Sequence, residues 1–119
     1  MADNPVKEKS FRFAVRIVRL CKFLTEEKRE FVISRQILRS GTSIGANVKE
    51  ALQAESKADF IHKLSISLKE ASETEYWLQL LKETEYIDQA AYDSMMSDCI
   101  ELLKLLTSII KSSKQAKTV

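Results

Sequence analysis

Residues 11–24 read Phe11-Arg12-Phe13-Ala14-Val15-Arg16-Ile17-Val18-Arg19-Leu20-Cys21-Lys22-Phe23-Leu24. Stepped at about 100° per residue, Phe13, Ile17, Leu20 and Leu24 continue into Cys21, Ala14, Val18, Phe11 and Val15, an apolar arc of about 220°. Lys9, Arg12, Arg16 and Arg19 fall together within about 80° on the opposite side. The stretch is therefore an amphipathic helix with an unusually wide apolar face and a row of cations. The rest of the chain agrees. Two glycines and one proline in 119 residues are too few turn-formers for a sheet of many short strands. Long helices in one domain are what that leaves.

Four helices can be delimited from caps and polar connections. Asn4 followed by Pro5 places an N-cap and a first-turn proline at the start of a helix over 5–24. The polar run 25–30 is the first connection. Ser34 is expected to cap a second helix over 34–55, with Ile33 and Leu38 as a hydrophobic staple. Ser56, with Asp59 three residues on, opens a third over 57–84, and Asp88 a fourth over 89–111. The bundle is thus expected over 1–111, followed by a frayed basic tail at 112–119. Helices of this length with short connections predict an all-α, antiparallel up-down four-helix bundle.

The apolar faces also bear on assembly. The fourth helix repeats the width of the first, with Tyr92, Met95, Met96, Cys99, Ile100, Leu102, Leu103, Leu105, Leu106, Ile109 and Ile110 again spanning about 220°. A helix of a monomeric bundle needs little more than about 100°. Scattered exposed apolar side chains are common, but two surplus faces predict a homo-oligomer of closed symmetry.

Most chemistry that a helical bundle could carry is excluded. A di-iron site needs paired Glu-x-x-His motifs, and the chain has one histidine, His62, expected to face solvent. Cys21 and Cys99 read as buried thiols, and no zinc spacing exists. Neither metal nor cofactor is expected. Gly41-Thr42-Ser43-Ile44-Gly45 lacks the adjacent Gly-Lys-Ser/Thr of a phosphate loop. Gly41 and Gly45 lie within the apolar face of the second helix, where they predict close helix packing. No nucleophile has a base beside it, so the chain is expected not to be an enzyme, and no small-molecule substrate is evident. Glu70 and Glu73 on the third helix are expected to pair with Arg35 or Arg39. No apolar run is long enough to cross a membrane, and the first residues carry no apolar leader core, so the cytoplasm is the expected location.

Charge supplies the functional lead. Residues 1–50 carry eleven Lys/Arg against six Asp/Glu, whereas 51–119 carry eight against eleven. All six arginines lie in the first third. Such asymmetry points to an anionic partner or to a basic-to-acidic match within the chain. The row Lys9, Arg12, Arg16 and Arg19 can track a phosphate backbone. A protein-binding scaffold with no nucleic-acid role is the alternative.

Two blocks carry a resemblance. Ser34-Arg35-Gln36-Ile37-Leu38-Arg39-Ser40-Gly41-Thr42-Ser43-Ile44-Gly45-Ala46-Asn47-Val48-Lys49-Glu50-Ala51 and the stretch from Ser56 through Glu70, Glu73 and Trp77 to Leu78 resemble the bacterial four-helix-bundle family, the 23S rRNA intervening-sequence proteins. The resemblance implies an antiparallel bundle assembling into a ring-shaped homopentamer. The family is similar in turn to the accessory variability proteins of diversity-generating retroelements, basic pentamers that bind nucleic acid and a reverse transcriptase. The implied partners are a further copy of the chain and RNA or a nucleic-acid enzyme. The resemblance carries over no catalytic residue.

Overall fold

The computed structural model describes residues 4–116, and the chain start and residues 117–119 of the expected tail lie outside them. Four helices follow in order: α1 (Pro5–Glu26), α2 (Ile33–Leu52), α3 (Lys57–Glu83) and α4 (Gln89–Gln115). Among the described residues there is no strand. The helices pack as a bundle 54 × 26 × 21 Å, in which α1 meets α2 and α4, and α3 meets the same two.

Three of the four helix starts use the expected caps. Asn4 Oδ1 accepts from the Lys7 amide at 3.2 Å, Ser56 Oγ from Asp59 at 3.1 Å, and Asp88 Oδ1 from Ala91 at 2.8 Å. The second helix departs from expectation: Ser34 is not its cap. The Glu30 carboxylate accepts from the amides of Val32 (3.3 Å), Ile33 (3.0 Å) and Ser34 (2.8 Å). One acceptor from the connection thereby satisfies three amides that have no partner within the helix. The helix consequently starts a residue earlier, and Ser34 is buried in its first turn, its hydroxyl donating to Glu30 O at 2.9 Å. It ends three residues before the expected 55, where the Gln53 and Ala54 amides turn back to Glu50 and Ala51. Helix α4 runs to Gln115, so residues 112–115 of the expected frayed tail are helical.

The core is one continuous cluster. Phe13, Ile17 and Leu24 of α1 meet Ile37, Ile44 and Val48 of α2, Leu64, Leu78 and Leu81 of α3, and Leu102 and Leu106 of α4. Each fully buried Leu or Ile contributes about 1.5–3 kcal/mol. Around α2 the packing is unusually close. A Cβ at Gly41 would lie 2.6 Å from Ile17 Cγ1, and one at Gly45 only 3.2 Å from the backbone oxygen of Ser10. On its other side α2 meets small polar residues of α3. Ser67 Oγ donates to Ile44 O at 2.8 Å, and the Ser40 and Thr74 hydroxyls hydrogen-bond at 2.9 Å. Among the described residues every buried side-chain polar atom has a partner, as a buried polar layer requires.

A Gly41→Ala variant is expected to lose about 1–3 kcal/mol, because the stiff, fully buried Ile17 must leave its position. Gly45→Ala gains about 1 kcal/mol of helix propensity against a displacement of a few tenths of an ångström, so it should stay within about 1 kcal/mol of wild type. Chemical denaturation of both variants checks the ranking, and equal losses would contradict the packing described.

Candidate nucleic-acid interface

Helix α1 is fitted to the α2 notch through Ile17, and this orientation decides where its cations go. The row Lys9, Arg12, Arg16 and Arg19 does not stand opposite the core. It flanks the core on the α4 side. Lys9 Nζ is 2.7 Å from Glu101 Oε2. Arg16 donates from Nη1 to Asp98 Oδ2 at 2.6 Å and from Nη2 to Ser94 Oγ at 2.8 Å. Arg12 has only its own-helix neighbour Glu8, at 3.8 Å. Arg19 makes no ion pair among the described residues. Two members of the row are thus bound to α4 and two face outward. At these exposures each α1–α4 pair contributes less than about 1 kcal/mol.

Between Arg16 and the start of α4 the surface opens into a groove of about 930 Å³. Arg16, Arg19, Leu20 and Phe23 of α1 form one wall. Lys82 from α3, residues 85–88 of the following connection and Gln89 at the start of α4 form the other. Lys28 comes from the α1–α2 connection, and Met95 from α4. Both connections contain a non-glycine residue in the left-handed region, Arg29 at φ 55° and Glu85 at φ 66°. At Glu85 the turn is locked by Tyr86 N–H donating to Leu81 O at 2.9 Å, a helix-terminating arrangement. Among the described residues three rings carry cations at cation–π range: Lys28 Nζ lies 5.8 Å from the centroid of Phe23 in the groove, and outside its lining Lys82 Nζ lies 5.1 Å from that of Tyr92 and Arg29 Cζ 5.7 Å from that of Phe31. Of the two carboxylates in the groove, Asp88 is engaged as the α4 cap and Glu85 is exposed.

Lys28, Lys82 and Tyr86 were not among the sequence candidates. Each lies outside the α1 periodicity that picks out the cation row, and only the packing of the connections brings them beside Arg19.

The other candidates divide. Arg39 of α2 lies between two acids of α3, with Nη1 3.0 Å from Glu70 Oε2 and Nη2 paired to Glu73. Trp77 Nε1 donates to the same Glu73 Oε2 at 2.9 Å. Arg35 joins no such pair among the described residues. It lies beside Val18, Lys22, Phe31 and Leu38 in a shallow groove between α1 and α2. His62 is exposed. No group of three His, Cys, Asp or Glu among the described residues is placed to hold a metal ion, and none of the described helices is long and apolar enough to cross a membrane.

Both cysteines are free and buried. Cys21 Sγ donates to Ser34 O and Cys99 Sγ to Ala71 O, each at 3.3 Å. Burial, aided by Glu30, pushes the Cys21 thiol up to about 11. Burial, aided by Glu75 and Asp98, pushes Cys99 up to about 12.

The arrangement is that of an all-α helical bundle with a groove at one end lined by cations and aromatic rings. The chain belongs to the 23S rRNA-intervening sequence protein family, whose model matches residues 2–108. It is similar to a protein of unknown function from the S23 ribosomal protein family of Bacteroides thetaiotaomicron VPI-5482, known from a crystal structure at 1.70 Å resolution. The two are 66% identical, the match covers 93% of this chain and 99% of that one, and the TM-score is 0.91. No curated protein matches the chain significantly.

The thiols yield a pH prediction. Each stays protonated in the native state above the pH at which it ionises unfolded, near 9. Their contribution is complete below pH 9 and declines as pH rises from 9 towards 11–12. Denaturation midpoints measured between pH 8 and 11 should fall, and more steeply than in a Cys99→Ala variant. Alkylation by iodoacetamide at pH 8 should require unfolding.

Proposed function

We propose that this protein is a non-enzymatic, self-associating bundle that acts as a cytoplasmic adaptor, holding RNA or a ribonucleoprotein through the cationic end of α1. The observation that carries this reading is the groove in which Arg19 and Lys28 stand without ion-pair partners among the described residues, next to Lys82. Cations left free in a recess are what a phosphate backbone engages. The family's own description names an RNA setting without assigning a ligand. The interface is shifted from the simple α1 row, because Lys9 and Arg16 already have carboxylate partners on α4.

Up-down antiparallel topology is supported by the order of the contacts. Ser10 meets Gly45 while Ile17 meets Gly41, and Lys9 meets Glu101 while Arg16 meets Asp98. Self-association, in a ring as the family resemblance implies, is supported by the apolar side of α1 that the core does not use. Phe11 is 69% exposed, and Phe31, 49% exposed, lies with Val18 and Leu38 along the same side. Such a contiguous apolar surface fits a subunit contact better than open solvent. The same surface favours the scaffold alternative, should it bind a different protein instead of a second copy.

Two measurements test the reading. Fluorescence anisotropy with labelled RNA should show affinity falling steeply with salt, and an Arg19→Ala/Lys28→Ala/Lys82→Ala variant should flatten that slope by about 2–3. Salt-independent or absent binding would leave the scaffold alternative. Light scattering should give a native mass several times the 13.6 kDa chain, reduced towards one chain by Val18→Glu. A wild-type monomer at micromolar concentration would refute the assembly.

A further inference from the structure

The groove contains more than cations. Its floor is apolar, formed by Leu20, Ile87 and Met95, and two aromatic rings line it, Phe23 from α1 and Tyr86 from the α3–α4 connection. On each wall a cation precedes a ring by four positions: Arg19 before Phe23, and Lys82 before Tyr86. Phe23 is 41% exposed although its neighbour Leu24 is fully buried, so the part of its ring that Lys28 does not cover is open to a ligand.

A duplex is a poor match for this recess. It presents phosphates outward and keeps its base faces stacked inside, so an apolar floor and recessed rings have nothing to meet. An unpaired strand alternates phosphate with an exposed flat base, matching the alternation of cation and ring on both walls. The volume of about 930 Å³ falls within the range of sites that enclose organic ligands. From this juxtaposition we infer that the α1–α4 groove takes unpaired RNA nucleotides, with bases on Phe23 and Tyr86 and phosphates on Arg19, Lys28 and Lys82. The inference rests on the RNA-binding reading above and narrows it to single strands read without base-specific hydrogen bonds.

The test uses the full chain and three labelled probes of about 12 nucleotides: a uridine-rich single strand, an abasic strand of the same length, and a blunt RNA duplex. The single strand should bind at least tenfold more tightly than either control at low salt. Phe23→Leu keeps an apolar side chain at a half-exposed position and removes the ring. It should weaken the single strand about five- to tenfold and leave the abasic strand unchanged. Arg19→Gln/Lys28→Gln should weaken both strands alike. Circular dichroism of each variant confirms that the helices persist. Equal, salt-dependent affinity for all three probes would overturn this inference while RNA binding itself stands, as would an unaffected Phe23→Leu variant. Failure of every nucleic-acid probe, with saturable binding of an acidic leucine-rich peptide instead, would overturn both.

Discussion

The approach of α1 to α2 at two glycines governs the rest of the molecule. Ile17 occupies the space that a Cβ at Gly41 would need, and the Ser10 backbone closes on Gly45. Two contacts about two turns apart fix both the distance and the rotation of α1. With Ile17 turned inward, Phe13, Cys21 and Leu24 follow it into the core. Lys9 and Arg16 must then face α4, and Phe11 and Val18 must face away from the bundle. The cation row and the uncovered apolar side of α1 are therefore two consequences of one packing event. Closed interiors of this kind tolerate little adjustment, so a change at the notch should be felt on both surfaces.

On its other side α2 is held differently. Ser40, Ser67 and Thr74 replace the branched apolar residues that a simple bundle interface would carry, and every one of these hydroxyls is satisfied. The pairing is specific, because sliding α2 against α3 would strand buried hydroxyls in an apolar surrounding. Nearer the surface, Arg39 with Glu70, Glu73 and Trp77 extends the same register. Helix α2 is thus fixed by shape towards α1 and by hydrogen bonding towards α3. The α1–α4 seam carries half-exposed ion pairs at the rim of the shared core, and it is there that the surface opens into the groove.

The proposed function rests on that unevenness. Where α1 and α4 are joined by Lys9, Arg16 and their carboxylates, charge is consumed within the fold. Beyond Arg16, Arg19 and Lys28 have no ion-pair partner among the described residues, and they share the groove with Phe23, Tyr86 and Lys82, whose Nζ lies 3.6 Å from Glu83 Oε1. The two connections that wall this end are held in left-handed turns without glycine, a backbone conformation that costs about 1–2 kcal/mol per residue outside glycine. They persist because the returning hydrogen bonds to Leu24 and Leu81 close them.

Much of this was legible in residue order. Periodicity revealed four helices, since a 3.6-residue repeat over twenty residues is a local property, and Asn4, Ser56 and Asp88 marked three starts because a cap bonds only two or three residues away. Gly41 and Gly45 stood out as small residues on an apolar face, and the two sequence blocks pointed to the family. The start of α2 departs from local rules because Glu30, two residues before the N-cap Val32, accepts the first amides from outside the serine position that those rules favour. What could not be read from order alone was which cations remain free. Lys9 and Glu101 are 92 positions apart, and Arg16 and Asp98 are 82 apart. Neither pairing has any local trace. The meeting of Phe23 and Lys28 with Lys82 and Tyr86 likewise exists only once both connections pack at the same end of the bundle, because long-range proximity is created by the close fit of α1 on α2 and not by the spacing of residues along the chain.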